Sequence, residues 1–290
     1  MSPAPIRLLP HVRVLKERYA AWLCDVWGVV HNGVRPFASA VDALIRFRDG
    51  GGCVILLTNA PRRSSAVLRQ LARIGVPEAA FDAVVTSGDA TRDWLRQLGA
   101  RSIVHIGPER DRSLFDDLDL NLTDADRAEV ALCTGLDDDE LQSVADYQPL
   151  LGRLARRGVR LMCANPDLVV DRDGTLVACA GALARAYQQM GGEALFTGKP
   201  HRPIYDLAMA RLGGLMDRSP RPAEILAIGD GLETDIAGAA GAGIDCLFII
   251  GGIHTGEVAD DGAEIDAARL VARLADPSRP PVAAQRQLTW

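Results

Sequence analysis

Apolar, β-rich runs at residues 20–24, 53–57, 83–85, 225–228 and 246–250 recur along the chain with helical patterns between several of them. This predicts a parallel sheet wrapped by crossover helices, because strands covered on both faces read as continuous apolar runs. Between the first two runs, Val41, Leu44, Ile45 and Arg48 outline a helical face, and Gly50-Gly51-Gly52 ends it. After the second run, Val67, Leu68, Leu71 and Ile74 keep helical spacing, which predicts a crossover helix over 64–74.

A second strand set, at 102–106, 130–133 and 159–163, lies between the two halves of the first, with helices expected from about Asp137 to Arg157. The expected organisation is therefore a core built from residues 1–98 and 193–290, with an inserted α/β module over 99–192 and Gly191-Gly192 as a flexible return point. The polar, Pro-containing stretch 276–281 is expected either to run extended over the surface or to be partly disordered.

With 48% hydrophobic and 24% charged residues, the 290-residue chain can bury a full core. Its net charge of -6 argues against nucleic acid or an anionic membrane surface as partner, since both favour clustered Lys and Arg. A small molecule is the expected partner. The six cysteines form no CxxC pair, and several sit in strand-like runs as small hydrophobes. No apolar stretch approaches the roughly 20 residues of a spanning helix, and the start carries no signal-like segment. A reduced, cytoplasmic chain is the expectation.

Four segments bear chemistry. Asp25 closes the run 20–24, and a carboxylate at the carboxyl end of a buried strand is poised as nucleophile or metal ligand. The run 53–57 delivers Thr58 and Asn59, a hydroxyl and an amide able to hydrogen-bond a phosphoryl oxygen ahead of a helix start. Lys199 precedes a helix with Ile204, Leu207, Ala208 and Leu212 on one face and Pro203 in its first turn. The last segment ends in Asp230, with Asp235 in the first turn of the next helix, an oxygen pair that suits Mg²⁺.

Taken in this order, the segments resemble the haloacid dehalogenase superfamily, specifically its class IIA, NagD-like branch, from about Tyr19 to Gly252. The resemblance implies a Rossmann-like doubly wound core with an inserted α/β cap, and hydrolysis of a small phosphorylated metabolite through an aspartyl phosphate on Asp25. It also implies Mg²⁺ held by Asp25, Asp230 and the main-chain carbonyl of Trp27, with Asp235 in support, phosphate contacts from Thr58, Asn59 and Lys199, and a homodimer formed through the cap. Where the family carries its second acid this chain has Trp27, which marks an atypical subgroup. An indole N–H is neither acid nor base. The second acid contributes about 10²–10⁴ in rate, so Trp27 implies weak or atypical turnover that suits acyl or aryl phosphates best.

Two alternatives stay open: a non-catalytic phosphometabolite-binding or regulatory protein, and a carbon–halogen or phosphonate hydrolase of the same superfamily. Retention of Asp230 weighs against a metal-free dehalogenase. The lack of any lysine from Gly99 to Gly192 weighs against a Schiff-base phosphonate hydrolase. His31 is either a substitute acid or a structural histidine. Asn165 and Asp167 either touch substrate, as the family's cap loop does, or form a plain turn. Asp171-Arg172-Asp173-Gly174-Thr175 imitates the nucleophile loop but reads as a hairpin turn.

Overall fold

A computed structural model of the protein describes residues 6–99, 101–172, 175–251 and 279–290. In chain order the strands are β1 (Ala21–Asp25), β2 (Cys53–Thr58), β3 (Ala83–Thr86), β4 (Ser102–Ile106), β5 (Asn121–Leu122), β6 (Val130–Cys133), β7 (Arg160–Cys163), β8 (Val169–Arg172), β9 (Thr175–Ala178), β10 (Ala194–Phe196), β11 (Ile225–Gly229), β12 (Asp245–Ile249) and β13 (Ala283–Gln285). The helices are α1 (Ala38–Asp49), α2 (Ser64–Ile74), α3 (Ser87–Leu98), α4 (Gln148–Arg156), α5 (Ala180–Gln189), α6 (Arg202–Leu215) and α7 (Ala237–Ala242). These elements form two compact units. One comprises Met1–Thr58, Leu68–Val85 and Tyr205–Trp290, the other Asn59–Val67 and Thr86–Ile204.

The first unit holds a six-stranded sheet ordered β13-β12-β11-β1-β2-β3. The chain winds outward from β1 through β2 to β3, then returns to β11 and winds the other way, so the fold is a doubly wound parallel α/β sheet. Every residue of β1, β2 and β11 is buried, as expected of strands covered on both faces. Helix α1 buries Ala40, Ala43, Leu44 and Phe47, one position away from the expected face. The small alanines let the helix approach the sheet, and Phe47 stacks on Trp22 with ring centroids 3.8 Å apart. The predicted helices over 64–74 and after Lys199 appear as α2 and α6, with Ile204, Ala208 and Leu212 fully buried.

The second unit holds a five-stranded parallel sheet ordered β10-β7-β6-β4-β5. Leu151, Leu154, Leu183 and Tyr187 fill one of its cores, and Ile103, Leu132, Met162 and Leu95 fill another. β8 and β9 pair antiparallel, which confirms the hairpin; Asp173 and Gly174 at its tip lie outside the described residues.

Two expectations about the fold need correction. No helix starts at Asp137: the chain there is a turn in which Asp138 Oδ1 accepts the N–H groups of Glu140 and Leu141 at 3.0 and 3.1 Å. The aspartate side chain has replaced the helical carbonyl as acceptor, and α4 begins only at Gln148. Gly192 packs closely, a Cβ there lying 2.3 Å from the Tyr187 ring, whereas nothing lies within 4 Å of a Cβ on Gly191, whose φ is +83°. Gly252 and, in the tail, residues 276–278 lie outside the described residues; Arg279 is exposed, but Pro281 is already buried and leads into the buried strand β13. Among the described residues no helix is long and apolar enough to cross a membrane.

Candidate active site

β1 ends in Asp25, and β11 ends one residue before Asp230. The two strands run in parallel register from Ala21↔Ile225 to Cys24↔Ile228, so both acids leave neighbouring carboxyl ends. These ends mark the point where the winding of the sheet reverses, the usual ligand crevice of an open α/β sheet. Asp235 arrives from the wide helical turn Leu232–Ile236, its Oδ2 accepting the Gly231 N–H at 3.1 Å. One oxygen from each of the three buried aspartates lies within 4.8 Å of the others. Two unit charges at that separation repel by about 3–4 kcal/mol at an effective dielectric constant near 20, and burial adds a desolvation cost. A hard divalent cation relieves both, and an all-oxygen carboxylate donor set fits Mg²⁺.

Glycine makes the convergence possible. Gly28 has φ +86°, and a Cβ on it would lie 2.2 Å from Asp230 Oδ2. The turn that follows β1 is closed by Gly28 N–H to His31 C=O at 2.9 Å and Val30 N–H to Val26 C=O at 2.9 Å. Trp27 lies half-buried in this turn, with its ring 5.3 Å from that of His31 and over Gly33, where a Cβ would meet the indole at 2.4 Å. His31 is buried, and its Nδ1 accepts the Gly33 N–H at 2.9 Å. Burial pushes its imidazole down to about 4. It is thus a neutral ring at neutral pH, with its Nδ1 holding the turn. Thr58 is the buried last residue of β2, one position beyond Leu57, the register partner of Asp25.

In the second unit another sequence-selected group meets. Lys199 is buried, its N–H donating to Asn59 Oδ1 at 2.7 Å, while Asn59 Nδ2 donates to Lys199 C=O at 3.1 Å and to Asp167 Oδ1 at 2.8 Å. The oxygen and both amide hydrogens of Asn59 are committed, so its side chain braces the lysine in place of the phosphate contact expected of it. Asn165 Oδ1 accepts the Asp167 N–H at 3.1 Å, so the 165–167 segment is a side-chain-closed turn that also hands Asp167 to Asn59. Sequence reasoning missed the hydroxyls that hold the preceding strand end: Thr197 Oγ1 lies 2.7 Å from Thr91 Oγ1 and 3.1 Å from Ser87 Oγ. The visible signal was Thr86-Ser87-Gly88-Asp89, a helix-capping pattern in which Thr86 Oγ1 accepts the Asp89 N–H at 2.9 Å.

Comparison with known proteins bears on both units. A family model described as haloacid dehalogenase-like hydrolase matches residues 22–121, and a HAD-hydrolase-like model matches residues 196–277. The crystal structure of a hydrolase of the haloacid dehalogenase-like family from Brucella suis 1330 is 45% identical, covers 97% of this chain and 100% of its own, and superposes with a TM-score of 0.86. Among curated proteins, the 5'-nucleotidase YutF of Bacillus subtilis is 26% identical over 86% of this chain and 93% of its own length. The ribonucleotide monophosphatase NagD of Escherichia coli K12 is 25% identical over 80% of this chain and 88% of its own.

Proposed function

Because the chain belongs to the haloacid dehalogenase-like hydrolases, we propose that it is a phosphohydrolase acting on a small phosphorylated metabolite. The observation that carries this reading is the convergence of Asp25, Asp230 and Asp235, three buried carboxylates with oxygens within 4.8 Å. Mg²⁺ held by Asp25, Asp230 and the Trp27 carbonyl, with Asp235 supporting through water, would neutralise the charge of the phosphoryl group. Asp25 Oδ attacks phosphorus, and the bond to the leaving oxygen breaks with its electron pair on that oxygen. Water then attacks the aspartyl phosphate, the Asp25 oxygen–phosphorus bond breaks, and the proton of the water passes to solvent. Thr58 and Lys199 hold the phosphoryl oxygens. In the same reading residues 99–192 are an inserted cap on a core of 1–98 and 193–290, and the six buried, free cysteines suit a reducing cytoplasm.

Trp27 sets the character of the reaction: with an indole at that position, leaving groups that depart as stable anions are favoured. The first test is hydrolysis of p-nitrophenyl phosphate in Mg²⁺, which Asp25→Asn is expected to abolish. No activity on a broad phosphate panel, with tight ligand binding retained, would instead establish the second reading, a phosphometabolite-binding protein, which Trp27 favours. Trp27→Asp is expected to raise activity on alkyl phosphates far more than on aryl or acyl phosphates.

A further inference from the structure

Asn59 holds Lys199 at two points of its main chain. The side-chain amide offers one acceptor and two donors. The acceptor takes the Lys199 N–H at 2.7 Å, one donor reaches the Lys199 carbonyl at 3.1 Å, and the other reaches Asp167 Oδ1 at 2.8 Å. The orientation of the amide is fixed by this pattern, because a flipped amide would face an N–H with its NH₂ and two acceptors with its single oxygen. The cluster is buried, with Asn59 5% and Lys199 3% exposed. Buried polar bonds of this kind are costly to break, since each broken partner is left without water.

Close packing enforces the same geometry. A Cβ on Gly198 would stand 2.5 Å from Asn59 Oδ1, 2.6 Å from Pro166 Cδ and 2.7 Å from Ser87 Oγ. The residue before the lysine therefore lies pressed between the Asn59 amide and the 165–167 turn, and no side chain fits there. On its far side the turn is fixed by Asn165 Oδ1 on the Asp167 N–H at 3.1 Å.

We propose that Asn59 is a positioning residue that locks the Lys199 backbone to the Asp167 turn, so that the turn sets where the lysine ammonium stands against a bound phosphate. This rests on the reading of Lys199 as a phosphate-binding residue. The lysine is then aligned by a segment more than thirty positions away in sequence, and any shift of that turn is passed to the ammonium through one rigid amide. Asn59 has no need to touch the substrate.

The test uses the full chain with inorganic phosphate as probe, titrated calorimetrically in excess Mg²⁺, alongside kcat and KM on p-nitrophenyl phosphate. Asn59→Asp keeps the shape but turns a second carboxylate oxygen onto Asp167, and is expected to weaken phosphate binding and lower kcat by about tenfold or more. Asn59→Asp with Asp167→Asn restores one donor to the pair and is expected to recover most of both. Asp167→Ala, which leaves the two contacts to Lys199, should fall between wild type and Asn59→Asp, and it decides the matter if Asn59→Asp does not fold. Wild-type phosphate affinity and kcat in folded Asn59→Asp or Asp167→Ala overturn the proposal, since a merely structural role moves only the melting temperature. Phosphate affinity is read without turnover. A chain that binds phosphate but hydrolyses nothing defeats the hydrolase reading alone, and a wild type that binds no phosphate defeats both.

Discussion

Gly28→Ala adds one methyl group to a residue that has no chemistry of its own, and it is expected to disable the acid cluster. Two costs can be separated. At φ +86° an L-residue pays backbone strain, about 1–2 kcal/mol. The added Cβ also lies 2.2 Å from Asp230 Oδ2, so the carboxylate must retreat by about 1 Å to reach van der Waals distance. Mg²⁺ demands near-ideal geometry at oxygen distances of about 2.1 Å, and a misplacement of about 1 Å costs on the order of 100-fold. Gly51 supplies the control: its φ is also +86°, and nothing lies within 4 Å of its Cβ position. Gly51→Ala should therefore show the strain alone, as a small fall in unfolding free energy with unchanged Mg²⁺ affinity. Gly28→Ala should show the strain together with a drop in Mg²⁺ affinity of at least tenfold. Urea unfolding measures the first quantity and isothermal titration with Mg²⁺ the second. Equal Mg²⁺ affinities in the two variants would refute the coupling of Gly28 to Asp230.

The repulsion within the cluster makes a second prediction. Without metal, Asp230→Asn should melt higher than wild type; with saturating Mg²⁺ the order should reverse, since ligand at about 100 times Kd stabilises the binding-competent protein by about 2.7 kcal/mol. Scanning calorimetry with and without Mg²⁺ checks it, and an unchanged order counts against a metal site. Acid sensitivity should also trace to His105, whose Nε2 lies 2.9 Å from Thr134 Oγ1 and whose ring meets Phe115 edge-on. Burial pushes its imidazole from the ordinary 6.5 down to about 4. Below 6.5 the unfolded chain takes up a proton that the folded chain refuses, so stability present above 6.5 is lost as pH falls toward 4, by about 1–2 kcal/mol at pH 5. In His105→Gln, denaturant unfolding at pH 7 and 5 should show a correspondingly smaller loss; identical losses would remove His105 as the cause.

The central strands were legible because burial on both faces leaves an unbroken apolar run, as in Val54-Ile55-Leu56-Leu57. β5, β10 and β13 are two or three residues long, too short for a periodic signal, and β13 buries the polar Gln285. Asp25, Asp230 and Asp235 were legible as strand-end acids because register alone brings the first two together. The part of Asn59 was not, since it depends on side-chain geometry across 140 positions. The acids at 137–139 misled because the same residue types that favour a helix start also bond their own backbone.

The sheet of the first unit is assembled from the two ends of the chain, and this dictates an order of events. Strand β1 lies between β2, which follows it closely, and β11, whose pairing begins at Ile225. While the chain is being made, the β11 side of β1 stays an open edge and Asp25 has no acidic neighbours until residue 230 emerges. By then the strands of the second unit, β4 to β10, have all been synthesised and can pair among themselves. Strand β13 is made later still, and its Ala284 bonds back to Arg7 and Leu9. The growing chain thus has no assembled acid cluster until residue 230 emerges, and β12 stays at the edge of the main sheet until β13 has been made.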